Sequence, residues 1–270
     1  GDEGGDVSVG DLAVLHPLNT CGTCEACRAG EEQRCPELRT LGFSAPGGMA
    51  EEVVWPVNRM VAVNGLDPAE ACLLPDAVAT AHHALELAAV PPGGSLCVIG
   101  AGGVGTHVIE LARILDPDVR VAAVVRREGT ARRVEPLTEH VVTGLEDAAR
   151  AVRKETGAID AVIDFSGAAG ATAQAVRMLK RGGTLVLGSV IDEPLGVGTT
   201  VTGVVARELV IRGVYSSGMR NLRAVAEMST NGKLSLSDSV SHRFPLEAAP
   251  EAFRLAGERP VDIVRVVLEP

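Results

Sequence analysis

The fifteen residues from Cys21 to Cys35, CGTCEACRAGEEQRC, hold four of the chain's six cysteines. Cys21, Cys24, Cys27 and Cys35 follow the spacing C-x2-C-x2-C-x7-C. Steps of this length fold thiols onto one knuckle, and a tetrahedral Zn²⁺ accepts four thiolates at about 2.3 Å each. Gly22, Ala26, Ala29 and Gly30 leave the backbone room to wrap the ion. Disulfide frameworks belong to small secreted domains, whereas this chain has 270 residues and opens on no signal peptide. The bacterial iron–sulfur spacing is tighter at its fourth cysteine. Four thiolates leave zinc no open position, so the predicted site is structural and not catalytic. Cys72 and Cys97 lie in apolar runs and read as packed core thiols.

A second chemical signal is SLCVIGAGGVGTHVIELARIL, in which Gly100, Gly102 and Gly105 form G-x-G-x-x-G, with Gly103 and Val104 inside the turn. A short apolar strand, Ser95 to Ile99, precedes it, and Val104, Val108, Leu111, Ala112 and Leu115 follow at helical spacing. In that context Gly100 permits the tight turn, Gly102 admits a pyrophosphate, and Gly105 lets helix and strand pack; the helix N-terminus supplies amide donors. The next strand, Arg120 to Val125, ends in Val125-Arg126-Arg127. An NAD site places an acidic residue there, roughly 20 positions on, to hold the ribose 2′-hydroxyl. Two guanidiniums in its place can pair with a 2′-phosphate, so NADP(H) is expected over NAD(H).

These residues need a frame. Apolar runs in AIDAVIDFSG, GGTLVLGSV and ELVIRGVYS alternate with helical stretches such as ATAQAVRMLKR, which predicts a parallel sheet covered on both faces. An α/β doubly wound domain is expected from about Pro75 to Tyr215. Few aromatics and 31 glycines fit tightly turned layers built from Ala, Val and Leu. A net charge of −10 argues against nucleic-acid binding. No apolar run approaches the roughly 20 residues of a membrane span, and a cytoplasmic setting is the default. The chain begins at Gly1, and GDEGGDVSVGDLAVL reads as an acidic turn entering a strand, Val7 to Leu15, as if a segment lay upstream.

With these residues assembled, the chain resembles the zinc-containing medium-chain alcohol dehydrogenase family. VGDLAV, the cysteine lobe, GGMAEEVV, LLPDAVATAHHAL, GAGGVG and HRFPLEAAPEAF to VRVVLEP occur in the family's order. The resemblance implies a GroES-like β domain, here partial and carrying the zinc lobe, from residues 1–75 and 216–270. It implies a Rossmann domain from 76–215, with the active site in the cleft. It also implies hydride transfer between NADP(H) and an alcohol, aldehyde or ketone, assisted by a catalytic zinc. Of that zinc's ligands only Asp76 has a counterpart, four residues before Thr80; the early cysteine and the Gly-His-Glu motif have none among residues 1–270. Asp76 could equally be the N-cap of the following helix. His82 and His83 are adjacent on that helix, about 100° apart, and cannot grip one metal together. By resemblance Thr80 lies beside the nicotinamide, Gly188, Ser189 and Val190 near its carboxamide, and Arg265 near the pyrophosphate. Arg207 to Tyr215 resembles the edge strand across which family members pair, implying a homodimer or homotetramer. The alternatives are a zinc-independent quinone or enoyl reductase, which usually lacks the cysteine lobe, and a non-catalytic NADP-binding remnant.

Overall fold

The computed structural model describes residues 7–192, 194–258 and 263–270. These fall into two compact units, one from Gly1–Thr80 with Ser216–Pro270, the other from Ala81–Tyr215.

In the first unit, β1 (Ala13–Leu15) and β2 (Leu18–Asn19) lead into a short helix α1 (Glu25–Arg28). Then β3 (Arg39–Thr40) returns antiparallel on β2, and β4 (Met60–Ala62) on β1 with Val14 opposite Val61. The expected strand from Val7 is shorter than the alternation suggests. Gly10 takes φ +96°, and Asp11 closes a turn by accepting the Ser8 amide at 2.7 Å while donating its own amide to the Ser8 carbonyl. Extended pairing therefore starts only at Ala13. Helix α2 (Pro68–Ala71) is capped by Asp67, which accepts the amides of Ala69 and Glu70, with Pro68 pre-setting the first turn. A π turn, Leu74–Val78, then runs into α3 (Ala79–Ala88).

The second unit alternates strand and helix. Its elements are β5 (Ser95–Ile99), α4 (Gly105–Leu115), β6 (Arg120–Val125), α5 (Glu128–Val134), β7 (His140–Thr143) and α6 (Ala148–Thr156), followed by β8 (Ile159–Asp164), α7 (Ala171–Met178), β9 (Leu179–Leu187), α8 (Val201–Val205) and β10 (Val210–Gly213). The six strands are parallel in the order β10-β9-β8-β5-β6-β7. This is the doubly wound order, with the reversal between β5 and β8. Central strands read as unbroken apolar runs because both faces are covered: all five residues of β5 are buried. On one face Cys97, Ile99, Val124 and Leu185 pack with Ala148, Val152 and Ala175 of α6 and α7. Strand β7 was not anticipated; three of its four residues are half-buried and Thr143 is exposed, a stretch too short and too mixed to read as a periodic run.

The chain then returns to the first unit through α9 (Met219–Thr230), β11 (His242–Pro245), α10 (Ala249–Glu258) and β12 (Val266–Glu269), with β11 and β12 parallel.

Candidate metal and cofactor sites

The four lobe cysteines converge: their Sγ atoms all lie within 4.8 Å of one another. Cys21 follows β2, Cys24 precedes α1, Cys27 sits within it, and Cys35 closes the 3₁₀ turn Glu32–Arg34. Cys21 Sγ is 3.9 Å from Cys27 Sγ and 3.6 Å from Cys35 Sγ. A tetrahedron with bonds of about 2.3 Å has edges of about 3.8 Å, so one zinc ion fits between them. A disulfide needs about 2.05 Å, and all four cysteines are free thiols. The backbone amides of Thr23 and Cys24 hold the Cys21 thiol down to about 6. The Cys27 amide acts downward on Cys24, but desolvation and the neighbouring sulfurs outweigh it and push that thiol up to about 11. Four sulfurs this close ionise together only around a cation, and the donor set suits Zn²⁺.

A buried polar network anchors the lobe. Glu32 accepts Arg59 Nη1 at 2.6 Å and the Met219 amide, at the start of α9, at 2.7 Å, while Arg59 Nη2 reaches Thr20 Oγ1 at 2.6 Å. Burial works against the Glu32 carboxylate, yet the Met219 amide and Arg59 hold its pKa below the ordinary value. His16 is fully buried and accepts the Leu18 amide at Nδ1, which leaves Nε2 to donate to Ser217 Oγ at 3.3 Å. None of this was read from the sequence, because Ser217 and Met219 lie some 200 residues from their partners.

Asp76 is no helix cap. It lies inside the π turn, where the Val78 amide bonds back to the Leu73 carbonyl, and its exposed carboxylate accepts Thr80 Oγ1 at 3.4 Å. Asp76 and Thr80 are thus brought together; burial lowers the Arg265 pKa, and the Asp76 charge acts against that in the upward direction. π turns are rare and recur at functional positions. Cys72 is also a correction: it ends α2 exposed, not packed. Cys97 is buried in β5, and desolvation pushes it up to about 12. His83 is buried against Glu86, and His82 approaches the same carboxylate.

In the second unit the glycine turn leaves β5 between β6 and β8, at the reversal point of the sheet. Gly100 has φ +87°, and a Cβ there would meet the Ser166 backbone at 2.6 Å; at Gly105 it would meet the Gly100 carbonyl oxygen at 2.2 Å. At Gly102 a Cβ would meet nothing within 4 Å. Gly100 and Gly105 are therefore required by contact, while Gly102 borders open space. Helix α4 begins at Gly105 with no side-chain cap, which suits a phosphate group as cap. Val104 precedes it in a helical conformation. Arg126, exposed, and Arg127, half-buried, follow β6 at the same sheet edge, beside the turn because β6 pairs with β5 there.

Across the reversal point, β8 ends in the buried Asp164, whose carboxylate accepts the Ser166 amide at 2.8 Å and hydroxyl at 2.6 Å. Burial raises its pKa. This Asx-type turn sets Ser166 against Gly100, and the D-F-S-G string after an apolar run was the overlooked signal. Gly188 follows β9 and donates its amide to the Asp164 carbonyl; a Cβ there would strike the Phe165 ring at 2.1 Å. Ser189 Oγ is buried without a partner, and Val190 is exposed.

Comparison with known proteins matches two stretches of the chain. Residues 1–65 match an alcohol dehydrogenase GroES-like domain and residues 103–231 a zinc-binding dehydrogenase. An L-threonine 3-dehydrogenase of Bacillus velezensis is 30% identical over 260 residues, 93% of this chain and 73% of that one. An NAD-dependent alcohol dehydrogenase of Saccharolobus solfataricus is 32% identical over 171 residues, 62% of this chain and 49% of that one. The alcohol dehydrogenase TADH from Thermus sp. ATN1 superposes with a TM-score of 0.89 at 26% identity, covering 98% of this chain and 79% of that one. A zinc-binding dehydrogenase of Sinorhizobium meliloti, bound to NADP, has a TM-score of 0.85 at 26% identity, covering 98% and 78%. The chain belongs to the zinc-containing medium-chain alcohol dehydrogenase family, NAD(P)-dependent oxidoreductases acting on CH–OH groups. Among the described residues no helix is long and apolar enough to cross a membrane.

Proposed function

We propose that the chain moves hydride between NADP(H) and an alcohol–carbonyl pair, NADP(H) being preferred over NAD(H). The observation that carries it is the uncapped start of α4 with Gly102 facing open space, beside a β6 end that offers Arg126 and Arg127 in place of a carboxylate. In this reading Gly100, Gly102, Gly103, Val104 and Gly105 cradle the pyrophosphate and Arg265 assists it. Arg126 and Arg127 pair with the 2′-phosphate, and Thr80, Gly188, Ser189 and Val190 position the nicotinamide; the orphaned Ser189 hydroxyl supports that assignment. Asp76, oriented by the Thr80 hydroxyl, contributes a carboxylate to the catalytic zinc. When bound, zinc supplies Lewis-acid polarisation of the carbonyl oxygen, and the cofactor supplies or takes up the hydride. The cysteine lobe holds a separate, structural zinc. The outer position of β10 in the sheet supports pairing between copies, as a dimer or tetramer; the setting proposed is the cytoplasm.

Fluorescence titration with NADPH and NADH tests the cofactor assignment: NADPH should bind at least tenfold more tightly, and equal or tighter NADH binding overturns the preference. The described residues gather three or more metal ligands only at the lobe, so metal analysis after exhaustive dialysis tests Asp76 directly. A second zinc ion per chain that is lost in Asp76→Ala supports its role, and one ion per chain in both removes it.

A further inference from the structure

A glycine turn binds a pyrophosphate only if its carbonyl oxygens, which repel phosphate, are turned away from it. In this turn each of the first three is tied inward. The Gly100 carbonyl accepts the Gly102 amide at 2.8 Å, and the Gly102 carbonyl accepts the Thr106 amide at 3.1 Å. The carbonyl between them belongs to Ala101 and is held by side chains alone: Thr106 Oγ1 donates to it at 3.1 Å and Arg133 Nη2 at 3.2 Å. The same Nη2 lies 3.4 Å from Thr106 Oγ1, so hydroxyl, guanidinium and carbonyl form one closed triangle. Ala101 and Thr106 are both buried and Arg133 is half-buried.

We propose that Arg133 is a positioning residue of the cofactor site, reaching from α5 to hold the Ala101 peptide in the orientation that shows a pyrophosphate amides and not a carbonyl. The inference rests on reading residues 100–105 as the cofactor cradle. Two observations separate it from ordinary packing. Arg133 Nε is buried with no partner, so the guanidinium sits where the turn needs it, not where its own donors are all satisfied. Its nearest carboxylate influence is Glu110, one turn further along α4, which is itself engaged by His107 Nδ1 at 2.8 Å. Arg133 is distinct in role from Arg126 and Arg127: it approaches the turn from beneath, through a carbonyl, and touches no ligand.

The test uses the full chain and three probes: NADPH, ADP-ribose, which keeps the pyrophosphate, and adenosine 2′-monophosphate, which lacks it. In calorimetric titrations Arg133→Met should weaken NADPH and ADP-ribose by about tenfold, the scale of one lost charge-assisted hydrogen bond. Binding of adenosine 2′-monophosphate should stay within about twofold, since this ligand does not meet the turn. Arg133→Lys should recover part of the loss, supplying one donor without the planar fork. Thr106→Val, which removes the second donor with no change of charge, should show the same selective loss to a smaller degree, about threefold. It also carries the test if Arg133→Met melts early. Equal weakening of all three probes, or none, overturns the inference. A wild-type chain that binds none of them overturns the cofactor reading itself, and the inference with it.

Discussion

Neither α1 nor the 3₁₀ turn Glu32–Arg34 buries a single side chain, whereas β5 buries every one of its residues. The two regions are comparable in chemical importance but are held together differently. The sheet removes whole strands of Val, Ile, Leu and Ala from water, at roughly 25 cal/mol per Å², and would keep its shape with no ligand. The lobe has elements of three and four residues, below the length at which a helix stands alone. Its order must come from outside the backbone: from the four thiolates and whatever they grip, and from the Glu32–Arg59 pair beneath them. A metal site is therefore folding energy in one unit, while a glycine site is a local exception to a fold already secured in the other.

The sharpest break of this contrast is Cys24→Ser. Structural zinc contributes on the order of 10 kcal/mol to local folding. The variant should lose one zinc per chain in metal analysis and become protease-sensitive between residues 20 and 40, with aggregation following. Amide protection of β5, β6 and β8 should persist. A variant that keeps its zinc, or whose sheet exchanges as fast as its lobe, would show that the two regions do not fold by separate means.

Next in size is a pair of glycine substitutions in the second unit. Gly105→Ala drives a Cβ to 2.2 Å from the Gly100 carbonyl oxygen and should destabilise by about 3 kcal/mol while abolishing cofactor binding. Gly102→Ala places its Cβ in open space. That change should leave the melting temperature within about 2 °C yet weaken NADPH by at least tenfold, because only an incoming phosphate meets the new methyl. If Gly102→Ala binds NADPH normally, the open face of the turn is not where the ligand lies.

A smaller effect distinguishes the first unit by pH. Burial, the largest cause, lowers the His16 pKa from 6.5 to about 4, so the unfolded chain binds the proton more readily than the folded one. The stabilisation is fully present above pH 6.5 and is lost as pH falls toward 4, reaching about 2 kcal/mol by pH 5. Glu32 and Arg59 face the same network with opposite electrostatic effects on His16. Urea melts from pH 7 to 5 should show that slope, and His16→Asn, which can still accept the Leu18 amide, should flatten it. An unchanged slope would assign the acid sensitivity elsewhere.

What could be read in advance divides along the same line. Cysteine spacing and glycine spacing are local demands, set by how far a knuckle or a turn can reach, and both stretches carry their meaning within about twenty residues. The apolar runs of β5, β6 and β8 are equally plain, because a doubly covered strand is mostly apolar, with Asp160 and Asp164 as the polar positions of β8. The four residues of β7, three half-buried and one exposed, have no such signature. The π turn around Asp76 rests on backbone bonds from Val78 to Leu73 and from Ala79 to Leu74 that no residue type announces. His16 with Ser217, Glu32 with Met219 and Arg133 with Ala101 are products of tertiary assembly, and pattern along the chain is blind to them.

The smallest expected effect concerns specificity and not fold. Arg126 and Arg127 lie at the end of β6, Arg126 exposed and Arg127 half-buried just ahead of α5. Arg126→Asp with Arg127→Ser restores a carboxylate where a ribose 2′-hydroxyl would donate, and removes two cations from a 2′-phosphate. The ratio of NADPH to NADH affinity should fall by about tenfold or more, some 1.4 kcal/mol, with the melting temperature and zinc content unchanged. Raising salt should weaken NADPH more than NADH in the parent chain and equally in the variant, since only the parent pairs a screened dianion. Loss of both cofactors together would mean that the arginines support the turn, and the distinction between a selective edge and a secured sheet would disappear.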